Sequence, residues 1–361
     1  MRRLVLIVFL ILAGAGMARA DSPFVLQPIR VLLGGDAGVL EALFVRPNEP
    51  GRYPLVLLAH GSPRAAADRA AMTPLAMLPQ ALEFARRGFA VVIVMRRGYG
   101  GSDGGWAEGF GSCDNANYVA AGNAGAADLK TTLDFVSHRP DVDPTRMIAV
   151  GVSAGGFATV ALTADPPGLV AAISFAGGRG SLESDRVCRP DRLIDAFHTY
   201  GKSSRVPMLW VYAENDHFFA PALAQQLKSA FVDSGGRVDF IAAPAFGNDG
   251  HNLFSPLGIP QWTPYVDAFL RRQNLTPRST PLPLPQSAIA APKNLGTNGQ
   301  AAFATFLVEA PHKAFALSPD GHFGWQSGVR TVDGARAGAL KFCQQNSSNC
   351  RVMFVDDAVA P

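Results

Sequence analysis

The sequence is poor in charge: Asp, Glu, Lys and Arg make up only 17% of its 361 residues. No run of Lys and Arg exceeds a pair and the net charge is only +3, so the positive field that nucleic-acid binding needs is missing. Neither C-x-x-C nor H-E-x-x-H occurs, which removes the common spacings of a metal site. No apolar run is long enough to span a bilayer as a helix. Disorder is excluded too, because 48% of the residues are hydrophobic.

The N-terminus carries a targeting pattern. Arg2 and Arg3 precede the apolar stretch Leu4 to Leu12, and Ala18-Arg19-Ala20 offers a small-residue cleavage site before Asp21. Residues 1–20 therefore read as a cleaved signal peptide, and the mature protein is expected in the periplasm or secreted. No cysteine follows that site, so a lipid anchor is not indicated. The four cysteines Cys113, Cys188, Cys343 and Cys350 all lie beyond it, and an even number in an exported chain favours disulfides.

From residue 24 to 272, strand-like runs alternate with helical patterns. Phe24–Leu33 and Val39–Val45 read as an antiparallel pair around Gly34-Gly35-Asp36. Leu55–Ala59, Phe89–Met95, Met147–Val152, Val170–Phe175, Met208–Ala213 and Val238–Ala242 read as buried strands. Helices are expected near 73–87, 123–138, 155–164, 220–233 and 262–272. Continuous apolar strands separated by helices imply an α/β fold: an eight-stranded, mostly parallel sheet covered on both faces. Residues 21–275 form this unit. The proline-rich stretch 276–297 reads as an extended linker, and 298–361 as a small α+β module stapled by Cys343–Cys350. Deleting 277–361 is accordingly expected to leave active protein. Cys113 and Cys188 each follow a parallel strand, so their loops leave the sheet at one edge and can pair.

Gly151-Val152-Ser153-Ala154-Gly155 lies between an expected strand and an expected helix. That is G-x-S-x-G in the context that lifts a serine above a sheet. A serine hydroxyl needs a base, and the base needs an orienting acid. Asp216 follows the strand Met208–Ala213, and His251 follows Val238–Ala242, so both fall at the same sheet edge as Ser153. Glu214 and His217 are the nearest competitors. His138, His198, His312 and His322 occupy positions with no such logic. The N–H groups of Ala154 and of Ser62, in the turn His60-Gly61-Ser62-Pro63, are candidate oxyanion donors. Gly201-Lys202-Ser203 lacks the upstream glycine and the strand context of a phosphate-binding loop.

The stretches "LLAHGSP", "RRGYGGSDG", "GVSAGG", "YAENDHF" and "GNDGH" together resemble the α/β-hydrolase superfamily, most closely its dienelactone-hydrolase and prolyl-oligopeptidase-type branches. The resemblance covers residues 24–272. It implies a serine hydrolase with Ser153 as nucleophile, Asp216 as acid and His251 as base, and it implies no cofactor or metal. A small carboxylic ester is the expected substrate, and a short peptide the alternative. A binding protein without activity on the same scaffold is the rival from another class. The module's partner is not legible, and no nucleic acid is expected.

Overall fold

The computed structural model describes residues 22–34, 38–285 and 287–360. The signal-peptide reading, and most of the Gly34-Gly35-Asp36 turn, lie outside them. The chain opens with β1 (Phe24–Leu32), β2 (Val39–Pro47), β3 (Tyr53–Ala59), α1 (Leu78–Arg86) and β4 (Ala90–Val94). Next come α2 (Tyr118–Ser137), β5 (Val142–Val152), α3 (Ala154–Leu162) and β6 (Leu169–Phe175). A short hairpin of β7 (Ser181–Glu183) and β8 (Arg186–Val187) leads to α4 (Pro190–Gly201). The unit closes with β9 (Met208–Ala213), α5 (Pro221–Asp233), β10 (Val238–Ala243) and α6 (Ile259–Arg272).

Eight strands form one sheet in the order β1-β2-β4-β3-β5-β6-β9-β10. Only β2 runs against the rest, because it pairs antiparallel with β1 on one side and with β4 on the other. Each central strand is apolar throughout because it is buried on both faces. Leu55 and Leu57 face the layer of α2, α3, α4 and α5, whereas Val56 and Leu58 face that of α1 and α6. The sequence misjudged some ends. β5 begins at Val142, five residues before Met147, because Tyr53 and Pro54 extend β3 and give it a partner. The β7–β8 hairpin was not foreseen; two- and three-residue strands leave no periodic trace.

The C-terminal residues form α7 (Thr297–Val308), β11 (Ala314–Leu317), β12 (Phe323–Gln326), α8 (Val332–Cys343), β13 (Arg351–Val355) and β14 (Ala358–Val359). Their antiparallel sheet has the order β12-β11-β13-β14. Phe303, Phe306, Phe315 and Phe354 fill one side of it, and alanines of α8 cover the other. The proline-rich segment has no regular element, but it is not loose. Leu282 donates its N–H to the Arg86 carbonyl at 2.8 Å, and Arg278 pairs with Glu49 at 2.8 Å. Cys113 is bonded to Cys188 and Cys343 to Cys350, the two pairings expected.

Candidate active site

Ser153 sits on the turn between β5 and α3 with φ 55° and ψ −123°, a conformation that side chains rarely tolerate. The flanking glycines make the turn possible. A Cβ on Gly151 would collide with the Gly155 backbone, and one on Gly155 with the Ala59 and His60 carbonyls. The turn is pinned by the Ser153 N–H, which donates to Phe175 at 2.9 Å, and by its carbonyl, which accepts from Phe157 and Gly178. The glycines of G-x-S-x-G are thus explained by contact.

Asp216 and His251 meet beyond the ends of β9 and β10. Both carboxylate oxygens of Asp216 lie 3.2 Å from His251 Nδ1. Asp216 is 1% exposed, and its Oδ1 also accepts the N–H groups of Phe218 and Phe219 at 2.7 and 2.9 Å. The carboxylate is therefore fixed before the imidazole reaches it. Phe218 stacks on the imidazole, with ring centroids 3.9 Å apart, and Phe219 packs against it at 5.6 Å. With Nδ1 turned to Asp216, Nε2 is the nitrogen left for the serine. Among the described residues, Ser153 Oγ makes no hydrogen bond to that nitrogen.

The competitors are engaged elsewhere. His217 Nδ1 pairs with Asp185 at 3.0 Å, which raises the His217 pKa. His138 and His312 turn Nδ1 to backbone carbonyls, and His322 faces Asp320. Glu214 is exposed, with its N–H held by Ala243.

Ser153, Ala154, Ser62, Phe218 and Phe219 share one cavity of about 160 Å³. Its other wall was not legible in the sequence. Arg96 and Arg179, 0% and 6% exposed, both bond to the buried carboxylate of Glu108. Burial would raise the Glu108 pKa, but the two guanidiniums outweigh it and hold it at about 2. The Tyr99 hydroxyl lies 2.9 Å from Ser62 Oγ and 3.1 Å from Glu108, and accepts from Trp106 Nε1 at 2.9 Å. His60 lies beneath this network. Its Nδ1 donates to the Gly61 carbonyl at 2.6 Å, while Nε2 accepts the Arg96 N–H at 3.2 Å. Burial, reinforced by the Arg96 charge, depresses its pKa to about 3, so it is neutral. Glu108 and Trp106 come from an irregular loop, and no spacing could have tied them to Ser62.

The family model for X-Pro dipeptidyl-peptidases of the S15 family matches residues 36–227, more than half of the chain. The chain belongs to the X-Pro dipeptidyl-peptidase (S15) family. The matched residues include Ser153 and Asp216 and end before His251. None of the curated proteins matches the sequence. Among solved structures, an esterase from Pyrococcus furiosus is similar at TM-score 0.50 and 15% identity, covering 69% of this chain and 93% of its own. A structure described as a dienelactone hydrolase from Klebsiella pneumoniae gives 0.49 and 14%, covering 69% and 99%. An acylaminoacyl peptidase from Pyrococcus horikoshii gives 0.49 and 16%, covering 70% and 42%. This S15-family member has the α/β-hydrolase fold, with the added C-terminal sheet, and is a serine hydrolase.

Proposed function

We propose that the protein cleaves small carboxylic esters through an acyl-enzyme, with Ser153, His251 and Asp216 as the triad. The observation that carries this reading is the preset pair of Asp216 and His251 beside a serine held at positive φ. His251 Nε2 takes the proton from Ser153 Oγ as that oxygen attacks the ester carbonyl. The developing oxyanion is met by the N–H groups of Ala154 and Ser62. On collapse, the alcohol leaves with the proton held by His251, and the acyl group stays on Ser153. Water, deprotonated by the same imidazole, then releases the acid and restores the serine. Asp216 keeps Nδ1–H oriented and stabilises the imidazolium.

Ester cleavage is favoured over removal of an N-terminal dipeptide, the activity named for the family. A dipeptidyl group ends in a protonated amine, which needs a carboxylate or carbonyl cage. No residue lining the cavity is acidic, and the carboxylate behind it already serves two arginines. The cavity volume also suits a short acyl chain, being close to one that holds a benzene ring. The two disulfides, which persist in oxidising compartments, support export. In this reading residues 21–275 are catalytic, 276–297 connect, and 298–361 are an accessory unit. Comparing a short ester with an alanyl-prolyl anilide in wild type and Ser153→Ala tests the reading. Cleavage of the anilide at a higher kcat/KM than the ester would reverse it.

A further inference from the structure

The cavity beside Ser153 is lined by Arg64, Arg69 and Arg179, and by no acidic side chain. Glu108 offsets Arg96 and Arg179 together, so that cluster alone leaves one positive charge. Arg64 and Arg69 add two more, and neither has a carboxylate partner among the described residues. Arg64 is spoken for geometrically: it lies 3.6 Å over the Phe218 ring and donates to Ser181 Oγ at 2.8 Å. Arg69 is different. Its guanidinium carbon lies over the Trp106 ring, 3.5 Å from its centroid, and its Nε is buried with no acceptor. A buried donor without a partner is costly, and a charged one more so.

We infer that this cavity recognises a carboxylate on the acyl part of the ester, held by Arg69 and Arg179 beside Trp106. The side of the ester follows from the leaving group. The departing alcohol must face His251, which protonates it, and Phe218 with Arg64 borders that side. Arg179, Tyr99 and Trp106 form one hydrogen-bonded group that reaches Ser62, the opposite side of the carbonyl. An acyl chain running that way brings its far end to the two guanidiniums. Arginine suits this task because its planar fork matches a carboxylate, and the contact with Trp106 holds the Arg69 head group at the cavity in advance. The ligand class is therefore a half-ester of a short dicarboxylic acid. This inference rests on the ester-hydrolase reading for its substrate, but the anion site can be measured without catalysis.

The test compares 4-nitrophenyl hemiglutarate with 4-nitrophenyl valerate, its neutral counterpart of equal length, each corrected for spontaneous hydrolysis. The wild type should prefer the hemiglutarate by about tenfold or more in kcat/KM, the scale of one charge-assisted hydrogen bond. Arg69→Gln should remove most of that ratio, and Arg69→Lys should restore part of it. 4-Carboxyphenyl valerate, with the charge on the leaving side, should gain no such preference. In parallel, calorimetry should detect glutarate binding to the Ser153→Ala protein and weaker binding when Arg69→Gln is added. Preference for the valerate, or a ratio that Arg69→Gln leaves unmoved, overturns the inference while leaving the ester reading intact. If neither ester is cleaved, the ester reading fails, and glutarate binding alone decides the anion site: loss on Arg69→Gln upholds it, and absence of binding overturns it.

Discussion

Arg330 and Glu41 are joined by a 2.7 Å ion pair that links the C-terminal module to the second strand of the main sheet. The same guanidinium donates to the carbonyls of Ala70 and Met72 at 3.2 and 2.7 Å. Those carbonyls bound the 3-10 turn Ala66–Ala71, which carries Arg69 to the cavity. The module therefore braces one wall of the site from a distance. Arg330→Ala should lower stability by only about 1–2 kcal/mol, since the bonds are partly exposed. It should raise KM more than it lowers kcat. A chain cut after residue 297 should fold, keep the serine reactive and show the same rise in KM. Unchanged KM in both proteins, from steady-state kinetics, would contradict the bracing role.

Acid should unfold the protein in two stages. His60 has a folded pKa of about 3 against an ordinary 6.5, so the unfolded chain takes up a proton that the folded one refuses. Stability should fall as pH drops below about 6.5. Glu108 has a folded pKa of about 2 against 4.5, so its contribution is full above 4.5 and is lost towards pH 2. Melting temperatures between pH 7.5 and 3 should therefore decline from about 6.5 downward. His60→Asn should flatten the part between pH 6.5 and 4.5. A wild-type curve that stays level down to pH 4.5 would refute the first stage.

Glu108→Gln should be far more damaging than its loop position suggests. It leaves Arg96 and Arg179 buried without their shared anion, a loss on the order of 3–5 kcal/mol. Chemical denaturation of the variant should give a clearly lower midpoint. A midpoint within error of wild type would mean that the arginines find other partners.

Reducing Cys113–Cys188 should act on both stability and rate. Closing a loop with a sequence separation of 75 is worth about 4 kcal/mol in the chain-entropy model. The bridge also ties the loop of Phe110 to the β7–β8 hairpin, and both reach the cavity. Cys113→Ser/Cys188→Ser should melt lower and lose activity, whereas the local Cys343–Cys350 pair should matter little to turnover. Equal effects of the two double variants would argue against this division.

What the sequence made legible was whatever depends on a single segment. Central strands were readable because burial on both faces demands continuous apolar runs. Ser153 was readable because a sharp turn at positive φ needs glycine at 151 and 155 and nothing larger. Asp216 and His251 were readable because parallel strands deliver their following loops to one edge. The arginine wall was not readable. Arg69, Glu108 and Arg179 come from three loops, and only tertiary packing makes them neighbours. Nor did the proline-rich stretch reveal that Leu282 would find a backbone partner on α1.

The interval Gly177–Arg205 holds only the β7–β8 hairpin, α4 and their connections, too little chain for a large lid. Rates should therefore rise smoothly with concentration through a substrate's solubility limit. A sharp increase at that limit, followed spectrophotometrically with a long-chain ester, would point to a lid that opens at an interface.

In the proposed reaction Ser153 is the nucleophile, driven by His251. The direct measurement is intact-mass and peptide mapping after treatment with a fluorophosphonate. We predict one adduct per chain, on Ser153, absent from Ser153→Ala and formed much more slowly by His251→Ala. Ser153→Ala should also lower kcat by about 10⁴-fold or more while its melting temperature stays close to wild type. An adduct on any other residue, or Ser153→Ala turning over its ester at near the wild-type rate, would contradict the account.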